Sequence, residues 1–477
     1  MQRLLFTGPL VAVLLAACAS PAPFRGREDV AAALRERGQD ELVPSEAERA
    51  ASEADVASRL SRPIEVDDAV AIALARNPRT RVALARLELA WSDLLEASRI
   101  SNPGVSLSAQ ESDEDGARTK LGLSIVQAFG DVVLLRSRRA IAAGEFAGAR
   151  EDAVRAIQDL VSEVQEKYFA LLGARQVAEM RALVAHAERS SAQLAQRYHA
   201  AGNIAELELR TREAEAVDAE LEASRARAEA SQAYHALGAA MGLRPGEADW
   251  RIDARLPLPV ASEDEADALA TLAFASRSDL AARRREAETL AQSLGITRRF
   301  RWLGGFELGV EAERETDGAK LIGPSVSFEL PIFHRNEAAV ARAEARVAQA
   351  EAEALALEGE IGHGVLAARA AVLAARERAE RHRTELMPLR EQIVARMQER
   401  HDFMLEGVFE LIEAKRDEYA AFEDYLVALR DYWMARAELA HVVGAALPSN
   451  ASIGATAKVG PVRLPEAAET NEHEGHH

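Results

Sequence analysis

One thiol, one pair of carboxylates and a histidine-bearing end are the residues whose type and spacing could do chemistry in this 477-residue chain. Cys18 is the sole cysteine, so an intramolecular disulfide is excluded and the thiol is left for another bond. Glu410 and Glu413 stand three apart, which puts both carboxylates on one helical face. Such a pair attracts cations and repels anions, and acidic residues at a helix start also complement the helix dipole; both readings stand. His473, His476 and His477, with Glu472 and Glu474, could hold a soft or borderline divalent metal ion on a flexible tail. His186, His199, His235, His334, His363, His382, His401 and His441 are scattered singly along helical segments, as surface and packing residues are. There is no nucleophile constellation, Gly-rich phosphate loop or HExxH helix, so the chain is not expected to be an enzyme or to use a cofactor.

Long helices must position these groups. Apolar residues make up 48% of the chain but aromatics only 5%, so the apolar content is largely Ala, Leu and Val, the composition of long helices. The net charge of −19 argues against a nucleic-acid partner. Residues 104–244 contain no Pro, and between Ile332 and Leu447 the only one is Pro388. Within the first span Val154, Ile157, Val161, Val164, Tyr168 and Leu171 alternate spacings of three and four, the seam of a coiled coil. Val340, Ala343, Val347, Ala350, Ala354, Leu357 and Ile361 do the same in the second. A helix over 131–200 would be about 105 Å long, more than a globular core requires.

The amino terminus is a targeting segment. Arg3 precedes an uncharged, mostly apolar stretch from Leu4 to Ala17, too short for the roughly 20 residues that span a bilayer. A basic start, a short apolar core and small residues before a break describe a signal peptide over 1–17. The run Leu15, Ala16, Ala17, Cys18 resembles the bacterial lipobox, which implies that Cys18 becomes the acylated first residue of a lipoprotein. Ala19 and Ser20 follow, with no Asp beside the Cys, which is compatible with the outer membrane.

The remainder falls into two similar halves. Residues 66–98, with a break at Asn77 and Pro78, and 263–297, with a step at Ser278 and Asp279, are both predicted helical. Each is followed by two alternating segments, a very long helix, a Gly-containing turn near Gly202 or Gly407, and a returning helix. The returns end in Gly238, Ala239, Ala240, Met241 and in Gly444, Ala445, Ala446, Leu447, which pair as similar tails. This is an internal duplication of one large unit.

The alternating segments decide the class. Val105, Leu107 and Ala109 alternate with Ser106, Ser108 and Gln110, while Leu121, Leu123 and Ile125 alternate with Gly122 and Ser124. In the second half Phe306, Leu308 and Val310 alternate with Glu307, Gly309 and Glu311, and Ile322, Val326, Phe328 and Leu330 with Gly323, Ser325, Ser327 and Glu329. At about ten residues each they have the length of tilted membrane strands with one apolar face, although hairpins packed on helices would alternate too. Four strands in lipid cannot close a barrel, so under the membrane reading other subunits must complete it.

Three stretches carry a family resemblance. They are Gly323, Pro324, Ser325 through Glu329, Leu330, Pro331, Ile332, Phe333 and on over 338–345; Met404 through Lys415; and Ala428 through Leu439. With the twice-repeated order of elements, the chain from about Ile64 to Leu447 resembles the TolC-like outer-membrane efflux channels, and within them the CzcC-type components of heavy-metal efflux pumps. His401, Asp402 and Phe403 depart from the family's usual Tyr, Asn and Ala before the Met. The resemblance implies a mostly α fold with a small β part: a long-helix α-barrel and four transmembrane strands per chain in a homotrimer with a twelve-stranded barrel. It also implies a periplasmic adaptor and an inner-membrane RND transporter as partners, with outer-membrane lipid around the strands. The adaptor or pump would meet the turns at Gly202 with Asn203 and at Leu405, Glu406, Gly407 and Val408. Glu410 and Glu413 match in position the acidic pair lining the periplasmic entrance, where copies around an axis would form two carboxylate rings.

The expected organisation is a signal peptide (1–17), a lipidated tether (18–63), a first repeat (64–243), a linker (244–262), a second repeat (263–447) and a disordered tail (448–477). The expected function is a passive outer-membrane channel of a tripartite pump exporting heavy-metal cations. A drug or organic-compound channel of the same fold and a periplasmic coiled-coil scaffold lipoprotein are the rivals.

Overall fold

The computed structural model describes residues 24, 26–36, 49–111, 113, 118–247, 249–300, 306–327 and 336–450. Cys18, residues 328–333 of the first resemblance stretch, and His473, His476 and His477 lie outside the described residues.

Helices α1 (Gly26–Glu36), α2 (Arg49–Leu60), α3 (Val66–Arg76) and α4 (Pro78–Ala97) lead into strands β1 (Gly104–Gln110) and β2 (Lys120–Ala128). Helix α5 (Phe129–Ala200) then runs for 72 residues, and α6 (Glu206–Ala240) returns. The order repeats as α7 (Ala266–Ser276), α8 (Ser278–Phe300), β3 (Glu307–Arg314), β4 (Lys320–Ser327), α9 (Glu337–Arg381), a π segment (His382–Leu386), α10 (Met387–Asp402) and α11 (Val408–Val443). The expected duplication is therefore present in the order of elements. Among the described residues no helix is long and apolar enough to cross a membrane.

Local chemistry explains the breaks. Asn77 is held extended (φ −66°, ψ 127°) because the Pro78 ring disfavours the helical region for its predecessor. Glu65 and Asp68 form a reciprocal capping box at the start of α3. The second break falls at Arg277, between α7 and α8, where Arg277 grips Asp279 at 2.8 Å.

The returning helices correct the expected pairing of the tails. Gly238 lies inside α6, and the left-handed residues that end the returns are Gly242 (φ 75°) and Gly444 (φ 74°). Sequence alone paired the two Gly-Ala-Ala strings by composition, but the repeat is registered by the residue that must adopt positive φ. At Gly242 a Cβ would lie 2.7 Å from the Asn77 backbone, so this close approach also requires glycine.

The chain forms two compact units. The first comprises Met1–Ser45, Pro78–Gln158 and Leu272–His363. Its sheet is a four-stranded antiparallel meander ordered β1, β2, β3, β4. Register places Leu107 opposite Leu123, Leu123 opposite Ala312 and Ala312 opposite Ile322, so apolar side chains share one face across all four strands. That face is open: Leu107 is 80% exposed, Ile322 78% and Val105 62%. The other face carries Ser106, Ser124, Glu311 and Gly323 in a single cross-strand row, with the Ser106 and Ser124 hydroxyls bonded at 2.8 Å. Also in this unit, Phe24 packs against Trp91 with ring centroids 5.7 Å apart, seating α1 on α4.

The second unit comprises Glu46–Asn77, Asp159–Thr271 and Gly364–His477. Its core is clamped by the chain between the repeats. Trp433 donates to the Pro257 carbonyl at 2.7 Å, Val260 N–H donates to the Tyr432 hydroxyl at 3.1 Å, and that hydroxyl donates to Glu263 at 2.6 Å. Glu263 also meets Arg376 at 3.4 Å and pairs with buried Arg436. Every residue of the first expected seam is buried, whereas in the second only Ala350, Ala354 and Ile361 are.

Candidate functional site

The sequence-nominated residues converge, apart from those outside the described residues, on the two turns that end the long helices of the second unit. After α5 the chain turns through Ala201, Gly202, Asn203 and Ile204 before α6; after α10 it turns through Phe403, Met404, Leu405, Glu406 and Gly407 before α11. The backbones match bond for bond. Asn203 N–H donates to the Tyr198 carbonyl and Leu405 N–H to the Arg400 carbonyl, both at 2.8 Å, each across a left-handed residue, Gly202 (φ 75°) or Met404 (φ 56°). His199 and His401 close the two loops alike: each Nδ1–H donates to the carbonyl five residues on, of Ile204 and of Glu406, at 3.2 Å. In the sequence both histidines stand among the scattered ones, because their equal spacing, three residues before the left-handed position, and the carbonyl each reaches appear only in the fold.

Beneath the turns Ala195, Leu209 and Phe409 are buried together, with Ile204, Val408 and Ile412 packed against them. Val408 thus belongs to this apolar plug, while Leu405 and Glu406 stay in the loop, Glu406 paired with Arg400 at 2.6 Å. The two turns differ in their outward side chains. Phe403 is 77% exposed, Met404 94% and Leu405 67%, whereas the first turn offers Ala201, Gly202 and Asn203.

Above the plug lies a charged layer that sequence reasoning missed. Arg212 of α6, 9% exposed, sets its guanidinium 4.8 Å above the Phe409 ring and reaches Glu215 at 2.9 Å and Glu413 at 3.3 Å. Glu215 also meets Arg416 at 3.5 Å. Glu188 of α5 is 3% exposed. Burial pushes its carboxyl above the ordinary value against the pull of Arg416 and Arg212, and Glu215 and Glu413 add to the rise. An amphipathic pattern cannot announce this layer, because its members sit on three helices far apart in the chain.

Glu410 and Glu413 therefore have different surroundings. Glu410 lies exposed in the first turn of α11 and folds back so closely over the N-cap that a Cβ at Gly407 would stand 2.5 Å from its carboxylate, the placement that complements a helix dipole. Glu413, one turn on, is tied to Arg212. Among the described residues no group of three His, Cys, Asp or Glu side chains converges on a metal position.

Comparison with known proteins agrees with this architecture. The profile of the family Outer membrane efflux protein matches residues 69–243. The cobalt-zinc-cadmium resistance protein CzcC of Cupriavidus metallidurans is 24% identical over 390 residues, 80% of this chain and 90% of that one. The outer membrane protein VceC of Vibrio cholerae superposes with a TM-score of 0.66 at 19% identity, over 80% of this chain and 96% of that one. The Campylobacter jejuni CmeC outer membrane channel gives 0.64 at 16% identity, over 80% and 85%. The fold is that of these outer-membrane proteins, and the resemblance to TolC-like efflux proteins of the CzcC type holds. The family profile falls on the first repeat, whereas the three stretches that carry the resemblance lie in the second.

Proposed function

We propose that this chain is the outer-membrane channel of a tripartite efflux pump that exports heavy-metal cations. One observation supports the membrane part above all: a four-stranded sheet whose apolar face is largely exposed and whose outer strands, β1 and β4, each have one edge unpaired among the described residues. In lipid such edges must be satisfied, and copies of the same sheet joined edge to edge satisfy them in a homotrimer. The apolar face then meets lipid, and the face bearing Glu307 and Glu311 meets water. Acylation of Cys18 would anchor the amino terminus in the same membrane.

The turns would dock a periplasmic adaptor and an inner-membrane RND transporter, which supplies the energy. Phe403, Met404 and Leu405 give that contact its apolar part, and Gly202, Asn203, Glu406, Gly407 and Val408 its shape. Glu410 and Glu413 would form acidic rings at the entrance, with Glu413 held by Arg212 until docking redistributes the layer. The cargo reading rests on likeness to the cobalt-zinc-cadmium resistance protein, and His473, His476 and His477 would add a weak metal-binding tail.

A deletion strain tests the cargo. It should become more sensitive to cobalt, zinc or cadmium and recover with the restored gene; unchanged metal tolerance with altered drug tolerance would replace metals with organic compounds. Glu410→Gln with Glu413→Gln should lower cation preference in bilayer recordings, and an unchanged reversal potential would leave both carboxylates in purely local roles.

A further inference from the structure

The two faces of the sheet carry their charges differently. On the face of Ser106 and Ser124, Lys120 is neutralised by Glu313 at 2.6 Å and Glu315 at 3.3 Å. On the apolar face the cross-strand row Ala109, Leu121, Arg314, Lys320 sets two cations directly opposite each other on β3 and β4. Neither has an ion-pair partner among the described residues, and Arg314 Nε is shielded from water without a hydrogen-bond partner there. Like charges directly opposite destabilise a sheet, so an anion placed between them is held by both.

The depth of the pair is fixed by the strand order. β1 and β3 begin, and β2 and β4 end, on the side from which the helices enter and leave, and the turns over 111–119 and 315–319 close the other side. Arg314 and Lys320 form the last row of the apolar face before those turns. The step along β3 from Leu308 to Arg314 is roughly 20 Å at about 3.3 Å per residue, so the cations stand at one border of the apolar face, where long side chains reach headgroups. Beside them the surface dips into an open groove of about 430 Å³, lined by Leu107, Leu121, Leu123 and Ile322, with Arg314 and Lys320 along its rim.

We infer that Arg314 and Lys320 clasp the phosphate of a phosphorylated lipid in the outer leaflet, whose acyl chains lie in the groove. The inference rests on the membrane reading, under which the helices extend into the periplasm and the hairpin turns face outward. One phosphate neutralises both cations, and the guanidinium offers it the forked donor geometry that an ammonium lacks. The rival anions are Glu111, Asp113, Glu114 and Asp115, which follow β1 in the chain.

Native mass spectrometry of the full chain in detergent, titrated with lipid A or with lipid A stripped of its phosphates, tests it. The phosphorylated form should bind at least about tenfold more tightly. Arg314→Gln with Lys320→Gln should abolish that preference, Arg314→Lys with Lys320→Arg should keep it, and Lys120→Gln, which removes a charge from the opposite face, should leave it unchanged. Equal binding of the two lipids by the unaltered three-chain particle, as pairing of the cations with the loop carboxylates would give, overturns the inference. So does a preference that survives the double Gln change; if that variant does not assemble, the comparison of the two lipids on the unaltered chain decides. A particle that stays single and takes up neither lipid overturns the membrane reading, and this inference with it.

Discussion

The two helix-ending turns share a backbone and differ in almost everything that projects from it. Both are closed by a histidine Nδ1–H and both pass through a left-handed residue, yet one places Gly at that position and the other Met404, 94% exposed. The first turn ends a continuous helix with a buried face, and the second ends an arm without one. Duplication thus preserved the geometry that closes a helical hairpin and released the side chains.

The contrast breaks most sharply at the exposed apolar triplet. Changing Phe403, Met404 and Leu405 together to Ser should weaken adaptor capture by at least about a hundredfold, since each fully buried large side chain contributes roughly 1.5–3 kcal/mol. Changing Ala201 and Asn203 to Ser should have little effect, and equal losses at both turns would end the asymmetry. Next comes the charged layer. Arg212→Ala leaves Glu413 without its partner and buried Glu188 with Arg416 alone, and should lower stability by about 1–2 kcal/mol in denaturant unfolding, discounted because Glu413 is half in water.

Smaller effects should carry opposite signs at the two left-handed positions. Gly202→Ala places a Cβ in a conformation that disfavours it and should destabilise by about 1 kcal/mol, while Met404→Gly removes the same strain and should stabilise by a comparable amount. Two losses, or two gains, would mean that the turns are not equivalent in backbone after all. The smallest effect is a pH dependence. Folded Glu188 keeps its proton to higher pH than the unfolded chain, so its contribution to stability is full below the ordinary value of 4.5 and is lost as pH rises through the folded value. Glu188→Gln should flatten that slope, and a slope unchanged in melting experiments would remove Glu188 as its source.

Patterns of short range were legible in the sequence. The seam from Val154 to Leu171, the break at Asn77 and the two faces of the strands follow from spacing and from proline geometry. Whatever depended on the partner across the fold was hidden. Glu413 looked like a free carboxylate until Arg212, some two hundred residues earlier, came to lie beside it. Composition pairs the tails at Gly238 and Gly444, whereas the positive φ that matches Gly242 to Gly444 is a property of the backbone path. Pro388 was visible as the only proline of its span, but its π turn depends on a helix that tolerates it by lacking a buried face there.

The open sheet is the feature from which the membrane reading grows. Detergent-purified protein reconstituted into planar bilayers, with its mass measured in the same preparation, examines that directly: a three-chain particle giving discrete cation-preferring conductance steps is the predicted result. A single-chain particle that leaves the bilayer insulating would contradict it.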